Sequence, residues 1–270
     1  MRLFFLGDIV GRAAREAVLR QVPVWRRQYA LDFVVVNGEN AAGGFGLTPD
    51  IADALFAAEV DVITTGNHVW DRQEIIPYIA DEPRLLRPCN YPDATAGRGS
   101  GVFAAGDRRV LVVNAMGQLF MTALDDPFAA VEAELAACAL GAGADFILID
   151  MHAEASSEKM AMGHFCDGRA SLVIGTHTHV PTSDTQILPN GTAYQTDAGM
   201  CGDYDSVIGM EKDAPVERFR SKMQSGRLSP ASGTPTLCGV IVETDDATGL
   251  ATDIQPFRVG GRLASVAPSG

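Results

Sequence analysis

With 270 residues and 47% hydrophobic side chains, the chain can bury roughly 70–75% of the surface that its extended form would expose. Its formal net charge of −13 argues against a nucleic-acid duplex or an anionic membrane as the main partner, because both are held by basic surfaces. A small anionic substrate remains compatible if the site brings its own positive charge, and bound metal ions are often the largest charges in a site.

The opening MRLFFLGDIVGR predicts a first strand at 3–6. Asp8 interrupts the apolar stretch well short of a signal-peptide core, and no run of about 18 apolar residues follows that would predict a membrane span. A helix-like segment then ends near Tyr29, FVVV at 33–36 predicts the second strand, and a glycine-rich loop follows it. Thr48 before Pro49 and Asp50 reads as an N-cap with proline at the first helical position. DVITT at 61–65 predicts a third strand, and another helix is expected from about Asp71.

Further strands are expected at 102–105, 110–113, 146–149, 172–175, 185–188, 192–196, 237–243 and 251–257, with an Ala- and Glu-rich helix over about 127–140. The early alternation of strands and helices predicts sheets covered by helices, and the strand-dense last third predicts antiparallel pairing. No linker, low-complexity tract or fixed-period repeat divides the chain, so one domain over 1–270 is the expectation. Cys89, Cys138, Cys166, Cys201 and Cys238 are widely spaced and form no CxxC pair. They read as reduced thiols of a cytoplasmic protein.

The informative regularity lies at the strand ends. Asp8 follows LFFLG, Glu39 and Asn40 follow FVVVNG, Asn67 and His68 follow VITTG, His152 follows FILIDM, and His177 and His179 follow LVIGT. In open α/β sheets ligands bind at the carboxyl ends of the strands. Each residue has a plain alternative: Asp8 as a turn former, Glu39 as an incidental loop carboxylate, Asn67 and His68 as partners for loop backbone, and His152 as a helix cap. His164, in KMAMGHFCDG, reads as structural. Together, however, one Asp, one Glu, two Asn and three His form a set of hard oxygen and imidazole ligands suited to Mn, Fe or Zn. Seven ligands exceed the needs of one tetrahedral ion and suit two ions bridged by a carboxylate. If 176–180 continues a strand, residues i and i+2 share a face, so His177 and His179 can point together, each towards one ion.

GNH at 66–68 and THTH at 176–179, with Asp8 before them and His152 between, resemble the calcineurin-like metallophosphoesterase superfamily. Its usual blocks are D-x-H, G-D-x-x-D, G-N-H-[DE], a lone H and G-H-x-H. This chain departs from them with Val10 in place of the first-block histidine, with GEN as the second block, and with Val69 after GNH. FLGDIVGR, VVNGENAAGGFGLT, TTGNHVWD, DMHAEASSEK, GTHTHVPTSD and TDAGMCGDYDSVIG together resemble the bacterial YmdB-like phosphodiesterases along nearly the whole chain.

That resemblance implies a four-layer α/β/β/α sandwich with two mixed sheets and a dinuclear centre of Fe or Mn, with Zn as a third option. It implies that Asp8, Glu39, Asn40 and His179 hold one ion, and that Glu39, Asn67, His152 and His177 hold the other. The reaction expected from it is phosphodiester hydrolysis by in-line attack of a metal-bridging hydroxide, with His68 as general acid, on 2′,3′- or 3′,5′-cyclic nucleotides. A homo-oligomer is a further implication of the family. GGFG at 43–46, Asn114 and the TDAG turn at 196–199 read as scaffolding rather than substrate contacts. Two competing expectations are an amidohydrolase-like hydrolase, whose HxH would come early on a (β/α)₈ barrel, and a regulatory protein that keeps the metal site as a ligand sensor.

Overall fold

The computed structural model describes residues 1–223 and 226–268. In chain order the elements are β1 (Arg2–Leu6), α1 (Gly11–Gln28), β2 (Phe33–Asn37), α2 (Pro49–Ala57), β3 (Val62–Thr64), α3 (Ile75–Asp81), β4 (Ser100–Ala105), β5 (Arg108–Met116) and α4 (Pro127–Ala137). They continue with β6 (Phe146–His152), α5 (Ser156–Cys166), β7 (Leu172–Thr176), β8 (Gln186–Ile187), β9 (Ala193–Gln195), α6 (Asp213–Ser221), β10 (Thr236–Thr244) and β11 (Ala251–Gly260).

One sheet has the order β11-β10-β1-β2-β3 and the other β4-β5-β6-β7-β9-β8. Both are mixed. β1, β2 and β3 run parallel, as do β5, β6, β7 and β9, while β10, β11, β4 and β8 add antiparallel edges.

Side-chain alternation creates the layers. Leu3 and Phe5 of β1, Phe33 and Val35 of β2, and Val240 and Val242 of β10 face Val110, Val112, Phe146, Leu148, Leu172 and Ile174 of the opposite sheet. The alternate residues Phe4, Leu6, Val34, Val36 and Ile241 turn outward onto Val18, Val22 and Trp25 of α1 and Leu55 of α2. Leu111, Val113, Ile147, Ile149 and Val173 turn outward onto Val131 and Leu135 of α4 and Met162 of α5. The result is the α/β/β/α sandwich, with two sheets rather than a closed barrel. Burying each of these large side chains contributes about 1.5–3 kcal/mol, so the strands feeding the site are anchored on both faces.

The local signals behave as their chemistry requires. The Thr48 hydroxyl accepts from the Ile51 N–H at 3.4 Å and caps α2. Three expectations are corrected. The helix expected from Asp71 starts only at Ile75, because 66–71 form successive turns with Val69 N–H donating to Gly66 O and Asp71 N–H to His68 O. The helix expected over 127–140 ends at Ala137, where the backbone folds into a turn whose Gly141 has φ +76°. Helix α6 was not expected at all. Among the described residues, no helix is long and apolar enough to cross a membrane.

Candidate functional site

The inner faces of both sheets change from apolar to polar over their last residues. Asn37, Thr64, Asn114, Asp150 and Thr176 continue the registers of Val35, Val62, Val112, Leu148 and Ile174, since side chains alternate with period two, and all five are buried. They tie the sheets together. Asp150 Oδ2 accepts from Asn37 Nδ2 at 3.1 Å and from Thr64 Oγ1 at 2.5 Å, while Oδ1 accepts from Thr176 Oγ1 at 2.6 Å. Burial pushes the Asp150 carboxyl up to about 6, against the opposing pull of His152 and these hydroxyls.

This network orients His152. Thr176 gives its single hydroxyl proton to Asp150, so its oxygen is an acceptor for His152 Nδ1 at 2.9 Å. His152 Nε2 then faces Asn67 Oδ1 at 3.0 Å, Glu39 Oε1 at 3.1 Å and His177 Nδ1 at 3.2 Å. The ring fits because residue 66 is glycine: a Cβ there would meet His152 Nε2 at 2.1 Å.

The other two histidines are held in the same manner. His177 Nε2 lies 3.1 Å from Glu154 Oε2, and His179 Nδ1 lies 2.8 Å from the Ile208 carbonyl. Carboxylates and carbonyls only accept, so in the neutral rings these nitrogens carry the proton. His177 Nδ1 and His179 Nε2 are left as inward lone pairs. Burial, reinforced by His152, pushes His177 down to about 3, which keeps its ring neutral.

The carboxylates complete the cluster. Asp8 Oδ1 lies 3.8 Å from His179 Nε2 and 3.9 Å from His152 Nδ1, and Asp8 Oδ2 accepts from the His177 N–H at 3.3 Å. Glu39 Oε2 accepts from the His68 N–H at 3.0 Å, and Asn40 Nδ2 donates to Gly44 O at 3.0 Å. Burial pushes Asp8 upward. For His152, burial would lower the pKa, but Glu39, Asp8 and Asp150 outweigh it and raise the imidazole to about 9; a cation held among these carboxylates would take the place of that second proton and leave Nε2 as a ligand. For Glu39, burial would raise the carboxyl, but His152 and His68 hold it below its usual value.

Asp8, Glu39, Asn67, His152, His177 and His179 are therefore brought to one place, with Asn40 next to Glu39 in the chain and His68 joined to the group through its N–H bond to Glu39. Asp8 Oδ1, Glu39 Oε1 and Asn40 Oδ1 are buried without a hydrogen-bond partner. Buried polar atoms are almost always satisfied in folded proteins, so three orphaned oxygens at the ends of β1 and β2 call for a positively charged ligand. Ligands bound at right angles to one ion at about 2.1 Å stand about 3 Å apart. His152 Nε2 keeps that spacing to Asn67, Glu39 and His177. The donor set and its spacing fit a metal ion.

The reason why His177 and His179 converge differs from expectation. β7 ends at Thr176, and both histidines lie beyond it with φ of +92° and +66°. A non-glycine residue with positive φ is uncommon, so two left-handed residues aim the rings, not a strand pleat. His152 lies within β6 and does not cap α5, whose N-cap is Ala155. His164 is exposed on α5, Asn114 Oδ1 accepts from the Thr65 N–H at 3.0 Å as scaffold, and Phe45 of GGFG packs edge-on to His68 at 5.0 Å.

Sequence reasoning missed Asp150, Thr176, Thr64, Asn37, Glu154 and Asp71. Asp150 had a usable signal, a lone carboxylate inside the buried run FILIDMH. The hydroxyl and amide partners had none, because their roles depend on contacts between the two sheets.

Comparison with known proteins agrees with this architecture. Residues 4–257 match the family model described as YmdB-like protein. The chain is 45% identical over 259 residues to a 2′,3′-cyclic-nucleotide 2′-phosphodiesterase of Bacillus subtilis, covering 96% of this chain and 97% of the relative. A crystal structure of a hypothetical protein from Thermus thermophilus superposes with a TM-score of 0.90 at 40% identity, covering 97% of this chain and 100% of that one. A structure from Mycoplasma pneumoniae described as a novel phosphatase superposes with a TM-score of 0.89 at 31% identity, covering 96% and 93%.

Proposed function

The chain belongs to the YmdB-like protein family, and on that premise we propose that it is a metal-dependent phosphodiesterase acting on cyclic nucleotides, 2′,3′-cyclic before 3′,5′-cyclic. The observation that carries the reading is the set of orphaned buried oxygens on Asp8, Glu39 and Asn40, surrounded by imidazole nitrogens whose outer partners leave their lone pairs facing inward. The 2′,3′-cyclic preference follows the activity named for the Bacillus subtilis relative.

Asp8, Glu39, Asn40 and His179 would hold one divalent ion, and Glu39, Asn67, His152 and His177 a second, with Glu39 shared; Fe or Mn suits this donor set, as does Zn. Two such ions would supply positive charge to the phosphoryl oxygens and acidify water at the site. They would also offset the net charge of −13 where an anionic substrate must arrive.

The chain's own residues do the rest. The Asp150–Thr176 pair holds the proton on His152 Nδ1, and Glu154 and the Ile208 carbonyl do the same for the outer nitrogens of His177 and His179. His68 is tethered through its backbone to Glu39, and its Nδ1 lies 2.8 Å from Asp71 Oδ2. With Nδ1–H held on that carboxylate, the imidazolium form of His68 would give its Nε2 proton to the leaving alkoxide as water attacks in line, and would be left neutral with Nδ1–H still on Asp71. Such a poor leaving group needs an acid.

The test is to purify the chain, count bound metal by elemental analysis, and assay phosphomonoesters, diesters and cyclic nucleotides. About two ions per chain with hydrolysis of cyclic nucleotides is the expected result. Metal uptake without hydrolysis of any phosphoester would instead favour the ligand-sensing reading.

A further inference from the structure

Lys159 of α5 and Asp197 are both fully buried and form an ion pair at 2.8 Å. Neither has a role in the chemistry above. A buried ion pair is costly to desolvate and is weak evidence for stability, so its surroundings decide what it does. Lys159 Nζ also donates to Thr178 Oγ1 at 3.1 Å. Asp197 Oδ2 accepts from the Thr178 N–H at 3.1 Å and from its hydroxyl at 2.5 Å, and Asp197 Oδ1 accepts from the Gly199 N–H at 2.7 Å.

Thr178 is the residue between His177 and His179. Among the described residues, every polar contact that fixes its N–H and hydroxyl therefore comes from this one pair. The two histidines on either side hold left-handed conformations, which persist only when their surroundings over-determine them. Gly175 makes the arrangement accessible: a Cβ there would meet Thr196 O at 1.8 Å and Lys159 Cδ at 2.7 Å. With no side chain at 175, the lysine stem passes over the end of β7 and reaches the turn.

We propose that Lys159 and Asp197 are positioning residues that clamp Thr178 and so aim His177 and His179 at separate metal ions. The inference rests on the metal reading given above. It differs from ordinary support of the fold because the clamp acts on the two residues that would serve different ions. Loosening it should weaken both sites together.

The experiment uses the full chain, stripped with chelator and titrated with Mn²⁺, with bound Mn counted by elemental analysis and thermal unfolding of the metal-free protein followed in parallel. Thr178→Val removes only the hydroxyl, Lys159→Met removes the cation, and Lys159→Met with Asp197→Asn removes both charges. Expected are uptake of both ions weakened about 10-fold or more, the usual cost of losing support behind metal ligands, and an unchanged metal-free melting temperature for Thr178→Val. The double variant should melt above Lys159→Met, because no unpaired carboxylate stays buried, yet should still bind Mn²⁺ weakly. Wild-type uptake in both Thr178→Val and the double variant overturns the clamp. A wild-type chain that takes up no Mn²⁺, Fe²⁺ or Zn²⁺ overturns the metal reading itself, and the clamp with it.

Discussion

Asp71 Oδ2 stands 2.8 Å from His68 Nδ1, three residues along a turn that also ties the His68 N–H to Glu39. Where the wider superfamily has an acid directly after GNH, this chain has Val69, which is 1% exposed and packed in the core. The carboxylate that orients the histidine comes instead from Asp71. His68→Ala should lower turnover of a 2′,3′-cyclic nucleotide by about 10²–10⁴-fold, the usual contribution of a general acid. A nitrophenyl diester, whose leaving group departs without a proton, should lose far less. Asp71→Asn should repeat the selectivity with a smaller loss. Equal losses on both substrates would rule out the acid role.

Chelation should destabilise the protein as well as silence it. An ion that binds only the folded state at 100 times its Kd adds about 2.7 kcal/mol, and its removal returns Asp8 and Glu39 to burial without a counter-charge. Thermal melts with and without EDTA should differ by several degrees and recover on addition of Mn²⁺ or Fe²⁺. A melting temperature indifferent to chelator in a protein verified to be metal-loaded would contradict this.

Glu154 is half-exposed and touches His177 from outside the cluster. Glu154→Gln removes the charge that favours a proton on His177 Nε2. It should reduce metal affinity about 10-fold while leaving urea unfolding of the metal-free chain unchanged. A loss of stability with normal metal binding would make Glu154 a packing residue instead.

Gly66→Ala places a methyl group where the His152 ring lies. Overpacking of a closed core costs about 1–3 kcal/mol, and here the displaced group is a ring of the proposed metal site. Urea denaturation should reveal the loss, and metal content should fall with it. Full metal content in a folded Gly66→Ala protein would show that the ring has another place to go.

Much of this site could be read from the sequence because strand and candidate ligand are adjacent there. An apolar run ending in Asp8, Glu39, Asn67 or His152 declares both the strand and its cargo, and the sandwich follows from which face of each run is apolar. The groups that aim those ligands were hidden. Asp150 and Thr176 act through a contact between neighbouring strands, and Lys159 meets Asp197 and Thr178 only when a helix, a turn and a strand end come together. The convergence of His177 and His179 was expected from strand periodicity but arises from two left-handed residues, which no pattern of residue types announces. The late start of α3 has a similar cause, since the residues before it are committed to placing His68 against Asp71.

The sheet order has one more consequence. β1, which delivers Asp8, lies between β2 and β10, and Leu6 pairs with Gly239. Contacts of such wide sequence separation are slow to form, so β1 gains its second sheet neighbour only once β10 has been made, and the proposed ligand Asp8 would be held on both sides only then. Ion capture would then close the assembly of the molecule, and a prematurely terminated product would lack the cradle needed to compete for scarce metal.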